Sequence, residues 1–387
     1  MVNPPKQIKI SIIGSRGIPA KYGGFESFTE DLSQALLRRG YVVTVCCEYT
    51  GSEKVETFNG VHLRYFPLSP PNSYVLRKIY EIINDIYFIA LLSRTQDILY
   101  ILGVGTAGWF TFFPKILNIK IRIVINIDGL EWKRGKFSVI ERSLLRINNY
   151  LAMRFADITI IDSKSLEKYI DIGKRKTIFI PYGIESIDTV SWDNDKLKPL
   201  SDRIENVSTI IQDKYWLVVA RLEPENNIHI IIEGYLSSNS KMPLCIIGDY
   251  TSKKYMASLS KLKDNNRNAQ LILFLGPIYD KTILNMLRQN CFVYIHGHSV
   301  GGTNPSLLEA MSMKNIILAH GNEFNREVGG KAFIYFENSK DLSEKMIKIE
   351  ENKTAFDRLK RISYQRVIKN YDLENIFNQY DKLFKNI

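Results

Sequence analysis

An arginine at the end of one apolar run and a glycine-rich turn at the end of another are the residues of this chain best suited to chemistry. The first run, Trp216–Ala220, continues into Arg221-Leu222-Glu223-Pro224-Glu225-Asn226-Asn227. A guanidinium is a fixed-charge fork that matches phosphate oxygens. The second run, Cys291–Ile295, continues into His296-Gly297-His298-Ser299-Val300-Gly301-Gly302-Thr303-Asn304-Pro305-Ser306-Leu307-Leu308-Glu309-Ala310. Pro305 fits the first turn of a helix. Gly301, Gly302 and Thr303 then offer backbone donors at the positive end of that helix, which suits a diphosphate. Glu309, one turn further in, is placed to accept hydrogen bonds from ribose hydroxyls.

The first half of the chain carries a second set. Gly14-Ser15-Arg16-Gly17 opens a long loop through Gly23 and Gly24 to a helix beginning near Glu26. Such a loop either lets backbone N–H groups approach an anion or is a glycine-rich turn without a ligand. It lacks the Gly-x-Gly-x-x-Gly spacing of a dinucleotide site, which disfavours a dehydrogenase. Asp128 follows the run Ile121–Ile127, so it sits where a strand ends and can orient or polarise an attacking hydroxyl. Glu131 competes for that role, and either carboxylate also fits a helix cap or loop. Lys133-Arg134-Gly135-Lys136 is a compact basic patch, suited to a pyrophosphate or simply to solvent.

These residues need strands to deliver them. Apolar runs at Ile8–Ile13, Val42–Cys46, Val61–Phe66, Ile98–Leu102, Ile121–Ile127, Ile158–Ile161 and Thr177–Ile180 alternate with helical stretches, among them Glu26–Arg39, Tyr74–Ser93 and Val139–Phe155. Nearly continuous Val/Ile runs between helices predict a parallel sheet covered on both faces. After a polar, aperiodic stretch the alternation restarts at Trp216. The reading is an α/β chain of two doubly wound, Rossmann-like domains facing across a cleft. Residues 1–182 form the first, 183–213 a linker, 214–365 the second, and 366–387 a C-terminal helix packing back on the first. Ligands of such sheets lie beyond the carboxyl ends of the strands.

The bulk properties bound the partners. The chain has 387 residues, 45% of them hydrophobic, and a net charge of +11. The basic residues are scattered, and no Lys/Arg run marks a nucleic-acid arm. The surplus is solvated surface or an attraction to an anionic membrane face. Cys46, Cys47, Cys245 and Cys291 have no metal spacing and read as buried, reduced thiols. No signal-peptide pattern opens the sequence, and the uncharged stretch Ile98–Pro114 is too short and glycine-rich for a bilayer span. The Tyr74–Leu92 helix, with Arg77 and Lys78 beside apolar and aromatic residues, fits a membrane surface or a helix packed on a sheet.

Gly14–Glu26, Asp128–Trp132, Ala220–Asn227, His296–Ala310 and Phe324-Asn325-Arg326-Glu327-Val328 together resemble the retaining glycosyltransferase family 4, with the two-domain GT-B fold. In detail they resemble bacterial rhamnosyltransferases of surface-polysaccharide assembly. The resemblance implies that Arg221 contacts the donor diphosphate and that Glu309 holds the ribose. It places Gly302 to Ser306 at the phosphate and brings Gly23 and Gly24 to the donor from the first domain. Many family members have Lys where this chain has Asn226 and Glu where it has Gly301. The rhamnosyltransferase group shares both departures, which favours a deoxysugar donor.

The candidate catalytic residues are therefore Asp128, Arg221 and Glu131. The candidate donor residues are Gly23, Gly24, Asn226, His298, Gly301, Gly302, Thr303, Asn304, Ser306 and Glu309. Arg16, Lys133 and Arg134 are candidates for the acceptor. His296 reads as a satisfied core residue, and two histidines without an acidic or Cys neighbour do not make a metal site. Asp193-Asn194-Asp195 imitates an acidic metal motif but follows no strand and reads as surface. The expectation is a cytoplasmic, metal-independent enzyme without a cofactor, at the inner face of the cell membrane. Its expected partners are a nucleotide-sugar and a lipid-linked saccharide, not nucleic acid. A nucleotide-sugar 2-epimerase of the same fold and a non-catalytic nucleotide-sugar-binding subunit are the rival readings.

Overall fold

A computed structural model describes residues 7–20, 24–49, 51, 54–103, 107–127, 129–133, 138–170, 176–185, 187–188, 190–201, 207–264 and 269–387. The chain divides into two compact units, Met1–Pro181 with Glu374–Ile387, and Tyr182–Leu373.

The first unit runs β1 (Lys9–Ile13), α1 (Gly24–Arg38), β2 (Val42–Cys47), β3 (Thr57–Phe58), β4 (Val61–Tyr65), α2 (Tyr74–Leu92), β5 (Ile98–Leu102), α3 (Phe113–Leu117), β6 (Arg122–Asn126), α4 (Val139–Phe155), β7 (Ile158–Ile161) and β8 (Thr177–Phe179). Its eight-stranded sheet has the order β3-β4-β2-β1-β5-β6-β7-β8. All pairs are parallel except the short β3–β4 hairpin. The central strands β2, β1, β5, β6 and β7 are buried on both faces, as their continuous apolar runs require, while the edge strands β3, β4 and β8 are partly exposed. On α1, Phe28, Leu32, Ala35 and Leu36 recur at helical spacing and are buried. A capping box between Ser138 and Glu141 starts α4. The segment Ile98–Pro114 is a buried strand, then a 3-10 turn at Gly108–Phe112, then the start of α3.

The second unit runs α5 (Lys198–Ser201), β9 (Trp216–Val219), α6 (Ile228–Ser238), β10 (Leu244–Ile247), α7 (Lys253–Asp264), β11 (Ile272–Gly276), α8 (Lys281–Gln289), β12 (Val293–His296), α9 (Pro305–Ser312), β13 (Ile317–His320), α10 (Glu323–Gly329), β14 (Ile334–Phe336), α11 (Ser339–Glu351) and α12 (Asp357–Tyr371), and the chain continues into α13 (Leu373–Lys385). Its sheet is wholly parallel in the order β11-β10-β9-β12-β13-β14. The order reverses direction between β9 and β12, and the crevice beyond their carboxyl ends is where such sheets bind ligands. Asp280, Asn304, Asn322 and Asn338 cap α8, α9, α10 and α11 with side-chain oxygens.

Two boundaries differ from the sequence reading. The described residues of 183–213 are folded onto the second unit rather than strung out as a linker. The Val190 N–H donates to Gln289 Oε1 at 2.6 Å, Trp192 lies over Tyr215, and Leu197 and Leu200 are buried. Asp193 accepts from Asp195 N and starts a 3-10 turn, which accounts for that acidic cluster. The C-terminal helix is also not continuous. It breaks at Asp372, where the backbone bridges to Ile184 through Ile184 N to Tyr371 O and Leu373 N to Ile184 O. Residues 366–371 therefore stay in α12, where Arg366 donates to the carbonyls of Glu327 and Val328. From Glu374 the chain belongs to the first unit, with Tyr380 bonded to Tyr100 at 3.0 Å and Phe384 against Tyr100 and Tyr41.

All four cysteines are free and buried. Burial pushes the thiols up, Cys47 to about 11 and Cys291 to about 12, so they are poor nucleophiles.

Candidate functional site

The second unit assembles one compact half-site from two loops. β9 and β12 are adjacent and in register, Trp216 opposite Val293 and Leu217 opposite Tyr294. The chain leaving β9 carries Arg221, and the chain leaving β12 carries His296 to Asn304 and enters α9. The Arg221 side chain is 59% exposed, with a Glu223 oxygen 3.7 Å away. It is thus free to meet an anion while Glu223, nearly buried, biases its direction.

The two loops are tied into one body. The Ser299 N–H and hydroxyl both donate to the Glu225 carbonyl, at 2.9 and 2.8 Å. Asn227, in the left-handed conformation, donates from Nδ2 to the Gly297 carbonyl at 2.8 Å. Gly297 permits this approach: a Cβ there would lie 2.2 Å from the Asn226 carbonyl oxygen. Sequence reading passed over Gly297, although a glycine between two histidines at a strand exit signals close backbone contact.

Asn226 itself takes a different part from the one expected. It is buried, and its Nδ2 donates to the Arg221 carbonyl at 2.6 Å. The amide therefore shapes the turn that presents Arg221 rather than lying bare for a phosphate.

The start of α9 is similarly committed. Asn304 Oδ1 accepts from Ser306 N at 3.0 Å and is the N-cap. The Ser306 hydroxyl contacts Tyr294 Oη at 3.1 Å, Val219 O at 3.3 Å and Asn304 Oδ1 at 3.0 Å. Ser306 thus clamps α9 to the end of β9, which leaves the Gly301–Asn304 backbone as the part of the loop that can face an anion. Gly302 is half-buried and Thr303 buried. Gly301 has φ of +127° and open space where a Cβ would stand.

Glu309 meets Arg288, which sequence reading missed. Arg288 is 2% exposed, and its Nη2 lies 2.6 Å from Glu309 Oε2, with the Glu309 side chain 33% exposed. Arg288 closes α8 among buried Met286 and Leu287. In the last turn of a helix it reads as an ordinary solvent-facing cation, so no sequence signal distinguished it.

The histidines stack. The His296 and His298 rings are 4.4 Å apart and 13° from parallel, and Tyr294 lies over the other side of His296. They face the same way, as alternation predicted. His296 is buried, but it is not a satisfied core residue: neither ring nitrogen has a hydrogen-bond partner among the described residues. Burial first, then the neighbouring His298 and His320, hold it well below the usual histidine range, so it is neutral. The His298 carbonyl is pinned by the side-chain amides of Asn322 and Asn325, at 2.7 and 2.9 Å.

In the first unit, Asp128, Gly23 and Arg134 lie outside the described residues. Glu131 opens a short 3-10 turn, Glu131–Lys133, beyond β6. Lys133 sets its ammonium over the Tyr169 ring at 3.6 Å, so part of its charge is already used. Gly24 is the exposed first residue of α1, and Arg16 is exposed. Two backbone donors in the described part of that loop are already taken. The Arg16 N–H donates to Glu26 Oε1 at 3.2 Å and the Ala20 N–H to Glu30 Oε2 at 2.6 Å, so carboxylates of α1 occupy those donors. Gly14 serves the sheet instead: a Cβ there would lie 2.1 Å from the Leu102 carbonyl of β5.

Comparison with known proteins fits this geometry. Residues 7–185 match a domain of unknown function, DUF1972, and residues 202–368 match the glycosyl transferases group 1 family. O-antigen chain mannosyltransferase C of Escherichia coli is 24% identical over 248 residues, 59% of this chain and 58% of that relative. The chain thus spans less than two thirds of that protein's length. Among solved structures, a sucrose-phosphate synthase from Thermosynechococcus elongatus superposes with a TM-score of 0.79 at 15% identity, covering 98% of each chain. Anabaena HepE in complex with UDP gives 0.74 at 15% identity, over 98% of this chain and 100% of that one. The part of the chain that matches the glycosyl transferases group 1 family is the second unit's sheet with its two loops, and the chain has the GT-B fold of two Rossmann-like units.

Proposed function

We propose that the chain is a retaining, metal-independent glycosyltransferase that moves L-rhamnose from dTDP-L-rhamnose to a lipid-linked saccharide in surface-polysaccharide synthesis, at the inner face of the cell membrane. The observation that carries the reading is the second unit's half-site. An exposed Arg221 and the Gly301–Asn304 backbone at the positive end of α9 share the crevice beyond β9 and β12. That is a set of donors for a nucleotide diphosphate. Glu309 offers the ribose the oxygen that Arg288 does not hold. The O-antigen mannosyltransferase and the UDP-bound HepE resembled by this chain support the class of reaction.

In the proposed step the bond from the anomeric carbon to the diphosphate oxygen breaks. The acceptor hydroxyl oxygen bonds to that carbon on the same face, and its proton passes to the departing diphosphate. The protein supplies position and charge stabilisation. Arg221 and the α9 start hold the developing negative charge, and Asp128 orients the acceptor hydroxyl. Gly301 bears no side chain to meet donor hydroxyls, which favours a deoxysugar.

The test is incubation of the purified chain with dTDP-, UDP- and GDP-sugars and a lipid-linked acceptor, followed by mass spectrometry. A glycosylated acceptor with retained anomeric configuration is expected from dTDP-L-rhamnose. An epimerised sugar formed from donor alone would make the chain an isomerase, and no product with any donor would leave a binding subunit. Two further outcomes are expected. Turnover persists in excess EDTA, and its loss with recovery on adding a divalent ion would refute the metal-independent step. Asp128→Asn lowers kcat by about 100-fold, as misplacement of a reacting hydroxyl does, with little change in donor affinity; a change confined to affinity would move Asp128 to the donor.

A further inference from the structure

The first unit leaves an apolar face uncovered. Among the described residues, 21 large hydrophobic side chains are exposed, and fifteen of them fall between Leu68 and Phe155. They are not scattered. On α2, Leu76, Ile79 and Ile83 follow helical spacing at 54%, 47% and 46% exposure, while Tyr80, Phe88 and Leu92 turn inward. On α4, Ile140, Leu144 and Ile147 do the same at 74%, 61% and 57%, while Ala152 and Met153 face the core. Each helix thus has two apolar faces, of which its own unit buries one.

The 3-10 turn 108–112 lies against both helices. Its Trp109 N–H donates to Asn148 Oδ1 of α4 at 2.9 Å, and the Trp109 side chain is 43% exposed. Exposed apolar side chains gathered to this extent on neighbouring elements mark an interaction site.

Charge identifies the occupant. Residues 74–155 hold twelve Lys and Arg against six Asp and Glu, a surplus of six out of the chain's eleven. Arg146 and Arg154 of α4 and Lys120 beyond α3 are exposed. A second copy would bring like charge against like charge, whereas an anionic lipid surface complements both the cations and the apolar stripes. Among the described residues no helix is long and apolar enough to cross a membrane, so the two helices would lie in the interface plane. We propose that α2, the 108–112 turn and α4 form a docking surface for an anionic lipid bilayer. The surface is separate from the donor half-site and does not depend on the transferase reading.

The test is co-sedimentation of the full chain with vesicles of phosphatidylcholine containing about 30% phosphatidylglycerol, and with phosphatidylcholine alone. The chain is expected to bind the anionic vesicles at least roughly tenfold better and to release in about 0.5 M salt. The triple variant Ile79→Ser, Ile140→Ser, Leu144→Ser removes only exposed side chains and is expected to lose binding by about tenfold or more. The pair Arg146→Glu, Arg154→Glu tests the charge without touching the apolar stripe and is expected to weaken binding to the anionic vesicles alone. Nucleotide binding, read by thermal shift, stays unchanged in both. Failure of the wild-type chain to sediment with anionic vesicles, or equal binding by both variants, would overturn the proposal. So would a dimer in analytical ultracentrifugation that the triple variant dissolves and vesicles do not displace.

Discussion

Arg221→Ala lowers turnover by about 100- to 1,000-fold, the usual cost of deleting one donor to a developing negative charge. The melting temperature moves by no more than about 2 °C, as expected for an exposed side chain outside any core. The separation follows from the geometry. Arg221 is 59% exposed and its described ionic contact, Glu223, is 3.7 Å away. The turn that carries it is held by other groups, Asn226 Nδ2 on the Arg221 carbonyl and Ser299 on the Glu225 carbonyl, which survive the substitution. Steady-state kinetics with circular dichroism on the same sample checks both halves. Wild-type turnover would remove the diphosphate role; an unfolded variant would show that the guanidinium belongs to the fold.

Glu309→Ala is expected to damage the fold as well as nucleotide binding. Arg288 is 2% exposed and its charge is met by Glu309 Oε2 at 2.6 Å. Deleting the carboxylate strands a guanidinium in the interior, which costs about 3–5 kcal/mol when a buried pair is broken from one side. Glu309 is 33% exposed, so water reaches the vacated place and the loss falls at the lower end. The double variant Arg288→Met, Glu309→Gln removes both charges and recovers most of that stability. It does not recover nucleotide affinity, because the carboxylate proposed to hold the ribose is gone. Denaturant melts of the three proteins, with titration of a nucleoside diphosphate, separate the two contributions. A single variant as stable as wild type would mean that Arg288 finds another partner.

The strands and their order of use were open to a reader of the sequence because buried parallel strands are uninterrupted apolar runs. β1, β5, β9 and β12 stand where those runs predicted. What the sequence concealed are features fixed by distant backbone. Lys369-Asn370-Tyr371-Asp372-Leu373 contains no Gly or Pro, yet the helix breaks there because Ile184 pairs with it. The polar stretch 183–213 shows no periodicity, yet it is anchored on Gln289 and Met286. At the half-site, Arg221, Glu309 and the Gly301–Asn304 turn were legible from residue type and position. Arg288 was not, since an arginine closing a helix looks the same whether its head lies in water or beneath a carboxylate. Asn226 was assigned from its type, and only the path of the turn shows that its amide faces a carbonyl.

Gly301 adds a constraint on how this loop can change. The room beside it is unoccupied, but its φ of +127° is a backbone setting that L side chains rarely adopt. A one-codon exchange for glutamate would therefore not deliver a carboxylate into that room; it would first force the peptide units on either side to rotate, displacing the Gly302 and Thr303 amides. Bringing a side chain to the donor sugar proposed for this turn thus demands several coordinated substitutions, and a library that varies residue 301 alone is expected to return inactive proteins rather than proteins of new preference.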